Sequence, residues 1–219
     1  RKYEAALAIS RRDENGCGHN VFSSRGAEAP SLKSLSTIPL VYAQTLSLLR
    51  AADKSGLWPA SSPGRQKVIA ENNGDGSGSS GRGGGEGSDT PPVGGTFALG
   101  VMPPPMTNPK ANEMFSELMA ACFLLEQALK PQRPPSSTIA VNRHAQFKPH
   151  TDSGNGAGQS VSLIVALGDF HGGELVVEGE VNDIRYDPME FNGWTQRHWT
   201  LPFTGERYSL VWFTPHGCG

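Results

Sequence analysis

The chain has little cysteine, little net charge and no long apolar run. Its three cysteines, Cys17, Cys122 and Cys218, show no CxxC spacing among 219 residues, which argues against a disulfide framework or a thiolate zinc site and favours an intracellular, reducing compartment. A formal charge of −2 gives no chain-wide positive field that would attract nucleic acid. The absence of about 18 consecutive apolar residues excludes a membrane-spanning helix. Because the chain begins with Arg1, we expect a fragment or a processed protein.

Composition divides the chain into three parts. Residues 71–95 hold ten glycines and no aromatic residue, so they cannot bury enough apolar surface to offset their ordering entropy. We interpret them as a flexible, disordered linker or insert, because a phosphate-binding loop would end in Lys-Ser or Lys-Thr. Residues 1–70 form an N-terminal helical extension, with packing helices predicted over Lys2–Arg12 and Leu40–Lys54. Residues 96–219 form the main domain.

The main domain predicts one helix followed by many short strands. After a strand over Thr96–Met102, a helix begins with Asn108 as N-cap and Pro109 at its first position, and ends at Lys130. From Ser137 onward the apolar period is two, and Gly, Asn and Asp turns separate the runs. The pattern predicts an α+β, mainly β fold, an antiparallel sandwich or jelly roll with flanking helices. The predicted strands are Thr138–Asn142, Ser160–Leu167, Glu174–Glu178, Asp183–Tyr186 and Arg207–Phe213.

Three side chains in this domain have the chemistry of a metal site. His150 and Asp152 are two residues apart, so in an extended segment they point to the same side. With His198 as a third ligand, the set would occupy one face of an octahedral ion and leave three positions open, which suits non-haem Fe(II) oxygen chemistry. The other candidate histidines are His144, which Pro149 separates from His150, and His171 and His216, which we expect in solvent.

A carboxylate site is predicted at the start of the last strand. Arg207 opens an apolar run, where an inward-facing guanidinium would be costly to bury without an anionic partner. Ser209 shares its face, and together the two could hold a carboxylate. The alternative for Arg207 is a surface ion pair with Glu206 or Glu190.

Two asparagines flank the predicted metal pair. Asn142 precedes it on a strand and Asn155 follows it in a glycine-rich loop, and either could orient a cosubstrate through hydrogen bonds. Turn chemistry alone also explains Asn155, which stands between two glycines.

The order His-x-Asp, distal His and Arg-x-Ser resembles the Fe(II)/2-oxoglutarate-dependent dioxygenases, which have a double-stranded β-helix (jelly-roll) core. The resemblance covers about residues 137–215, and 96–130 more loosely. It implies an oxidoreductase that uses Fe(II), 2-oxoglutarate and O2, with ascorbate as an accessory reductant, and that forms succinate and CO2. The residues it assigns are His150, Asp152 and His198 as iron ligands, and Arg207 and Ser209, with Asn142 nearby, for 2-oxoglutarate.

A narrower resemblance concerns the substrate. Asn142 and the segments 150–160, 168–175 and 203–209 are similar to the algal and protist branch related to the TET/JBP enzymes, which implies a nucleobase such as 5-methylcytosine as substrate. The Gly-Gly-Glu-Leu turn also occurs in prolyl-hydroxylase-like members, so a protein hydroxylase is the first alternative. A non-catalytic, cupin-like binding module is the second.

DNA or RNA as a partner would require both stacking and phosphate contacts, because a base within a duplex must be extruded before it can react. The available aromatic residues are Phe147, Phe191, Trp194 and Trp199, and the available basic residues are Arg133, Arg143, Lys148 and Arg197.

Overall fold

The computed structural model describes residues 38–70, 94–152 and 161–218. The predicted helix Lys2–Arg12, nearly all of the predicted linker and Asn155 lie outside these ranges and stay predictions. Within the described ranges, no helix is both long and apolar enough to cross a bilayer.

Four helices and ten strands make up the described residues. The helices are α1 (Leu40–Lys54), α2 (Pro63–Val68), α3 (Ala111–Met114) and α4 (Ser116–Leu129). The strands are β1 (Gly95–Gly100), β2 (Thr138–Arg143), β3 (Ser162–Leu167), β4 (Phe170–Gly172), β5 (Leu175–Val177), β6 (Glu180–Asn182), β7 (Met189–Phe191), β8 (His198–Thr200), β9 (Phe203–Gly205) and β10 (Tyr208–Phe213).

The strands form three antiparallel sheets. The largest has five strands in the order β1-β2-β10-β3-β7, a second has the order β6-β5-β8, and β4 pairs with β9 alone. The predicted mainly β fold with flanking helices is confirmed.

Both faces of the five-stranded sheet are covered, since β2 and β3 are buried along nearly their whole length. Side chains alternate between the two faces along each strand. On β10, Leu210 and Trp212 belong to the hydrophobic cluster under α1 and α4, and the Trp212 indole N–H donates to the Cys122 carbonyl of α4 at 3.1 Å. Ser209 and Val211 point the other way and line a cavity. One face therefore holds the helices and the other is available for a site.

Helix α1 has the predicted bounds and belongs to the same core as the main domain. Leu46 and Leu49 are buried in the cluster on the helix side of the sheet. At the polar edge of α1, Arg50 pairs with Glu206 at 2.7 Å, and the Asp53 carboxylate accepts from the Tyr208 hydroxyl at 2.8 Å. These contacts fix the helix at the start of β10.

The predicted helix over residues 109–130 is interrupted, and its predicted cap is wrong. Asn108 does not cap it, since its side chain accepts from the backbone N–H of Met102 at 3.4 Å; Lys110 stands at the N-cap of α3. Phe115 leaves helical geometry with φ −125° and ψ 44°, and its ring is buried in the helix-side cluster. The favourable free energy of burying the Phe115 ring offsets the cost of interrupting the helix. Beyond the break, Leu118, Cys122 and Leu125 are buried.

The predicted strand Asp183–Tyr186 is wrong. Arg185 makes only one isolated bridge, to Ala166, and the strand in this region is β6, which pairs with β5. The strands β4, β6, β7, β8 and β9, of three residues each, were not predicted, because runs this short seldom show a period of two; β5, equally short, lies within the predicted strand Glu174–Glu178.

Helix α1 allows a direct test of its packing. We expect Leu49→Ala to lower the free energy of unfolding by about 2–5 kcal/mol, because it leaves a cavity in a packed core. Leu40→Ala on the same helix is the control, since Leu40 is 89% exposed and its loss should change stability by less than about 0.5 kcal/mol. Equal midpoints in urea unfolding of the two variants would contradict this packing.

Candidate metal centre

Backbone pairing brings the predicted ligands together. His150 and His198 face each other across an antiparallel bridge, in which each backbone N–H donates to the other's carbonyl, at 3.0 Å and 2.9 Å. The Asp152 N–H donates to the Gly193 carbonyl at 2.9 Å. The segment after β2 is thus joined to β8 and to the loop before it.

The three side chains converge on one point. One ligand atom from each of His150, Asp152 and His198 lies within 4.8 Å of the others, and His150 Nε2 is 3.9 Å from Asp152 Oδ1. His198 is 7% exposed, and the other two side chains are half-buried. The set offers two nitrogens and one carboxylate to a metal from a single side.

Both imidazoles are oriented by backbone carbonyls. His150 Nδ1 lies 2.7 Å from the Lys148 carbonyl, and His198 Nδ1 lies 3.0 Å from the Gln196 carbonyl. A carbonyl can only accept, so each Nδ1 carries a proton, and in a neutral imidazole Nε2 then has the free lone pair. A histidine held in this way is set up as a metal ligand. The donor set therefore fits a divalent ion such as Fe(II).

The electrostatics favour the neutral form of His150. Burial lowers the pKa of His150 below its ordinary value, and the neighbouring His198 lowers it further. A neutral imidazole is the form that binds a metal, since a proton on the ligand nitrogen competes with the ion.

A cavity of about 290 Å³ opens beside these three side chains. One wall comes from the five-stranded sheet through Asn142, Ser209 and Val211, and the facing wall comes from Leu175 and the β8 residues. Helix α2 and the residue before it, Ser62, lie at its edge. The volume suits a small organic ligand.

Arg207 is one of the most deeply buried side chains in the described structure, with 1% exposure. Its Nη2 donates to the Gly173 carbonyl at 3.0 Å, and its guanidinium lies 5.4 Å from the Phe170 ring centroid and 5.2 Å from that of Phe203. Burial lowers the pKa of Arg207 to about 10, and the charge of Glu174 opposes this. The group therefore stays cationic at neutral pH.

No carboxylate of the described residues lies within 4.0 Å of this cation. The alternative of a surface ion pair is wrong, because Glu206 pairs with Arg50 and Glu190 with Arg133, while Arg207 is buried. Arg207 Nε has no hydrogen-bond partner in the described part of the chain. Among the described residues, Arg207 is therefore a buried cation without an ion-pair partner.

Gly173 explains how the guanidinium fits. Its φ is +76°, and a Cβ placed there would lie 2.7 Å from Arg207 Nε. Both the backbone conformation and the space therefore require glycine at this position.

Ser209 and Asn142 lie together on the cavity wall, whereas Arg207 is not among the described residues that line it. Asn142 Nδ2 donates to Ser209 Oγ at 3.1 Å, and Asn142 Oδ1 is buried without a partner among the described residues. Two of the three residues predicted to hold a cosubstrate thus face the cavity directly.

The remaining candidate histidines lie away from this cavity. His144 lies on the helix side, with Nε2 3.6 Å from Asp53 Oδ2, and His171 and His216 are exposed as expected.

The predicted nucleic-acid residues fall into two groups. All four predicted aromatic residues line the cavity. Of the basic residues, Arg133 pairs with Glu126 and Glu190, and Arg143 pairs with Asp53, so both are engaged within the protein. Lys148 and Arg197 are the exposed members of that set.

Sequence reasoning missed the contribution of α2 to the cavity. Ser62, Arg65 and Val68 line it, and the segment is held by Lys148 N–H donating to the Val68 carbonyl at 2.7 Å. A signal was present in Ser62-Pro63, because serine is a preferred N-cap and proline a preferred first helical residue. The Ser62 side chain does accept from the Arg65 N–H, at 3.4 Å.

Comparison with known proteins gives distant structural likenesses only. No family model and no curated protein matches the chain. The structure of NgTET1 in complex with 5mC DNA is similar over 56% of this chain, with 18% identity and a TM-score of 0.38, and this chain spans only 61% of its length. A Pseudomonas putida prolyl-4-hydroxylase is similar over 82% of this chain and 89% of its own, with 17% identity and a TM-score of 0.43.

A third likeness is to OsALKBH1, over 78% of this chain and 92% of that one, with 12% identity and a TM-score of 0.40. All three are weak in sequence and in superposition. Any functional assignment therefore depends on the site residues themselves.

Gly193 provides a test of the metal centre that leaves the ligands intact. A Cβ at Gly193 would collide with Asp152 Oδ2, so we expect Gly193→Ala to displace that carboxylate and weaken Fe(II) binding by about 10–100-fold, the range typical of lost ligand support. Anaerobic calorimetric titration with Fe(II) measures this.

Gly64→Ala is the matched control, because Gly64 also lines the cavity but has nothing within 4 Å of its added Cβ. Equal Fe(II) affinity in the two variants would show that Asp152 does not bind the metal.

Proposed function

We propose that the protein is an Fe(II)- and 2-oxoglutarate-dependent dioxygenase. The observation that carries the proposal is the convergence of His150, Asp152 and His198 on one point, with both Nδ1 atoms held by carbonyls. Two imidazoles and one carboxylate on a single side leave the other positions of an octahedral ion open. Two sheets that face each other across the cavity support a double-stranded β-helix core for this site.

Each residue has a distinct task. His150, Asp152 and His198 would hold the ion, which when bound supplies the activation of O2. The backbone bridge between the two histidines fixes their separation. Buried walls of the cavity, such as Leu175 and Phe191, exclude water from the reacting centre.

We assign the distal carboxylate of 2-oxoglutarate to Arg207 and Ser209. The Ser209 hydroxyl lies on the cavity wall, and Arg207 is a buried cation whose Nε has no partner among the described residues. A carboxylate would offset the cost of burying that charge. Asn142, which is hydrogen-bonded to Ser209, would hold the serine in place. O2 and ascorbate complete the proposed set of cosubstrate and reductant.

We further propose a nucleobase as the substrate, as in the TET/JBP branch. Trp194 and Phe147 are half-buried on the cavity wall, and such rings can stack on a planar base. A prolyl peptide would use the same centre, and the choice between the two is made by the product assay below.

The oxygenase class is tested by anaerobic addition of Fe(II) and then 2-oxoglutarate. We expect a visible charge-transfer band that requires both, followed on aeration by succinate in amounts equal to the 2-oxoglutarate consumed. Asp152→Ala should abolish both signals while far-ultraviolet circular dichroism stays unchanged, because it removes a metal ligand and not core packing. Absence of the band and of succinate from the unaltered protein would favour a cupin-like binding module.

The cosubstrate assignment is tested by Arg207→Lys. A lysine keeps the charge but loses the two-pronged geometry, so we expect the KM for 2-oxoglutarate to rise by about tenfold or more, as for loss of a charge-assisted hydrogen bond. The dissociation constant of Fe(II) should not change. An unchanged KM for 2-oxoglutarate would refute the role of Arg207.

The substrate class is decided by products. Methylated duplex and single-stranded DNA and a proline-rich peptide are incubated separately with the Fe(II)-loaded protein, and their products are analysed by mass spectrometry. Oxidised 5-methylcytosine is the expected result; hydroxyproline without oxidised bases would contradict it.

A further inference from the structure

Arg65 is the one Lys or Arg side chain among the described residues that line the cavity. It comes from α2, lines the cavity, and its Nη1 is 4.0 Å from Asp152 Oδ1. Its side chain is 39% exposed. The guanidinium therefore lies beside the proposed iron ligand and is partly open to solvent.

The contact with Asp152 leaves the hydrogen-bonding capacity of the Arg65 guanidinium largely unused. A separation of 4.0 Å is beyond hydrogen-bonding distance, and Asp152 is the only acidic residue of the described chain within 4.0 Å of Arg65. When Asp152 binds a metal, its charge is shared with that ion. The Arg65 guanidinium, which has five N–H donors, then has capacity for another anion.

A second donor lies on the same side. The Trp194 indole N–H is buried and has no hydrogen-bond partner in the described residues, and Trp194 lines the same cavity. It directly follows Gly193, whose carbonyl accepts from the Asp152 N–H. An unpaired buried N–H costs free energy that a bound acceptor would recover.

Asn142 and Ser209 lie on the five-stranded sheet, whereas Arg65 and Trp194 lie on α2 and on the loop before β8. The cavity thus has polar side chains on the sheet, including the Ser209 assigned to 2-oxoglutarate, and a second polar set on the segments around Asp152. The second set is available to a ligand other than the cosubstrate.

We propose that Arg65, assisted by the Trp194 N–H, binds a phosphate group of a nucleotide substrate. This rests on the proposed nucleobase oxygenase function and adds to it the residue that selects a phosphorylated substrate over a nucleoside. A guanidinium is the side chain best suited to phosphate, because it forms two parallel charge-assisted hydrogen bonds. The aromatic walls receive the base, and α2 supplies the charge.

The test compares two ligands that differ only in the phosphate. 5-Methyldeoxycytidine 5′-monophosphate and 5-methyldeoxycytidine are titrated calorimetrically into the full chain loaded with Mn(II) and 2-oxoglutarate, without O2 turnover. We expect the monophosphate to bind about tenfold more tightly or better, the effect of one charge-assisted contact. Arg65→Gln should remove this preference and leave the nucleoside affinity unchanged.

Lys67→Gln is the matched control, since it removes the same charge from the same helix at an exposed residue and should keep the preference. Trp194→Phe keeps an aromatic side chain but loses the N–H donor, and should weaken monophosphate binding by about threefold to tenfold, as for one hydrogen bond. No preference in the unaltered protein, or equal losses in Arg65→Gln and Lys67→Gln, would overturn the proposal.

The outcome is separable from the oxygenase proposal. Failure to form succinate with a retained, Arg65-dependent preference for the monophosphate would contradict the oxygenase and support the phosphate site. Succinate formation without that preference would do the reverse.

Discussion

The candidate site depends on one short backbone interaction, the pair of hydrogen bonds between His150 and His198. Two histidines on different segments can meet one ion only if those segments are held in register, and a bridge in which each residue bonds the other leaves no freedom to slide. Asp152 is tied in the same way to Gly193. The positions of the three side chains are thus set by main-chain contacts before any ion binds, which reduces the ordering cost of metal binding.

The two-sided character of the five-stranded sheet connects this site with the stability of the fold. Strand β10 carries Trp212 and Leu210 into the core under the helices and Ser209 into the cavity. Asp53 on α1 bonds Tyr208, the residue between Arg207 and Ser209. Because alternate residues of one strand serve core and cavity, displacement of α1 would also move the proposed cosubstrate residues.

The sequence predicted those helices and strands whose apolar periodicity extends over enough consecutive residues to be recognised. Helix α1 was predicted from its apolar spacing and from the stop signal at Gly56. The order His-x-Asp and distal His predicted which three side chains converge. It could not predict β8, which is three residues long, or the break at Phe115, where tertiary burial overrides helix propensity. Nor could it predict that the Arg207 guanidinium lies against the rings of Phe170 and Phe203, because those residues belong to β4 and β9.

Helix α2 illustrates why the sequence did not reveal that the N-terminal extension contributes to the cavity. Ile69 bridges to Phe147, and the Ala70 N–H donates to the Gln146 carbonyl at 2.7 Å, so residues 68–70 lie against the segment that leads to His150. These hydrogen bonds join residues that are far apart in the chain, so no local sequence pattern predicts them. Their effect is to place Arg65 beside Asp152, so the cavity that the main domain builds is completed by residues that precede the glycine-rich stretch. The proposed substrate preference is therefore a property of the extension and of the loop before β8 together.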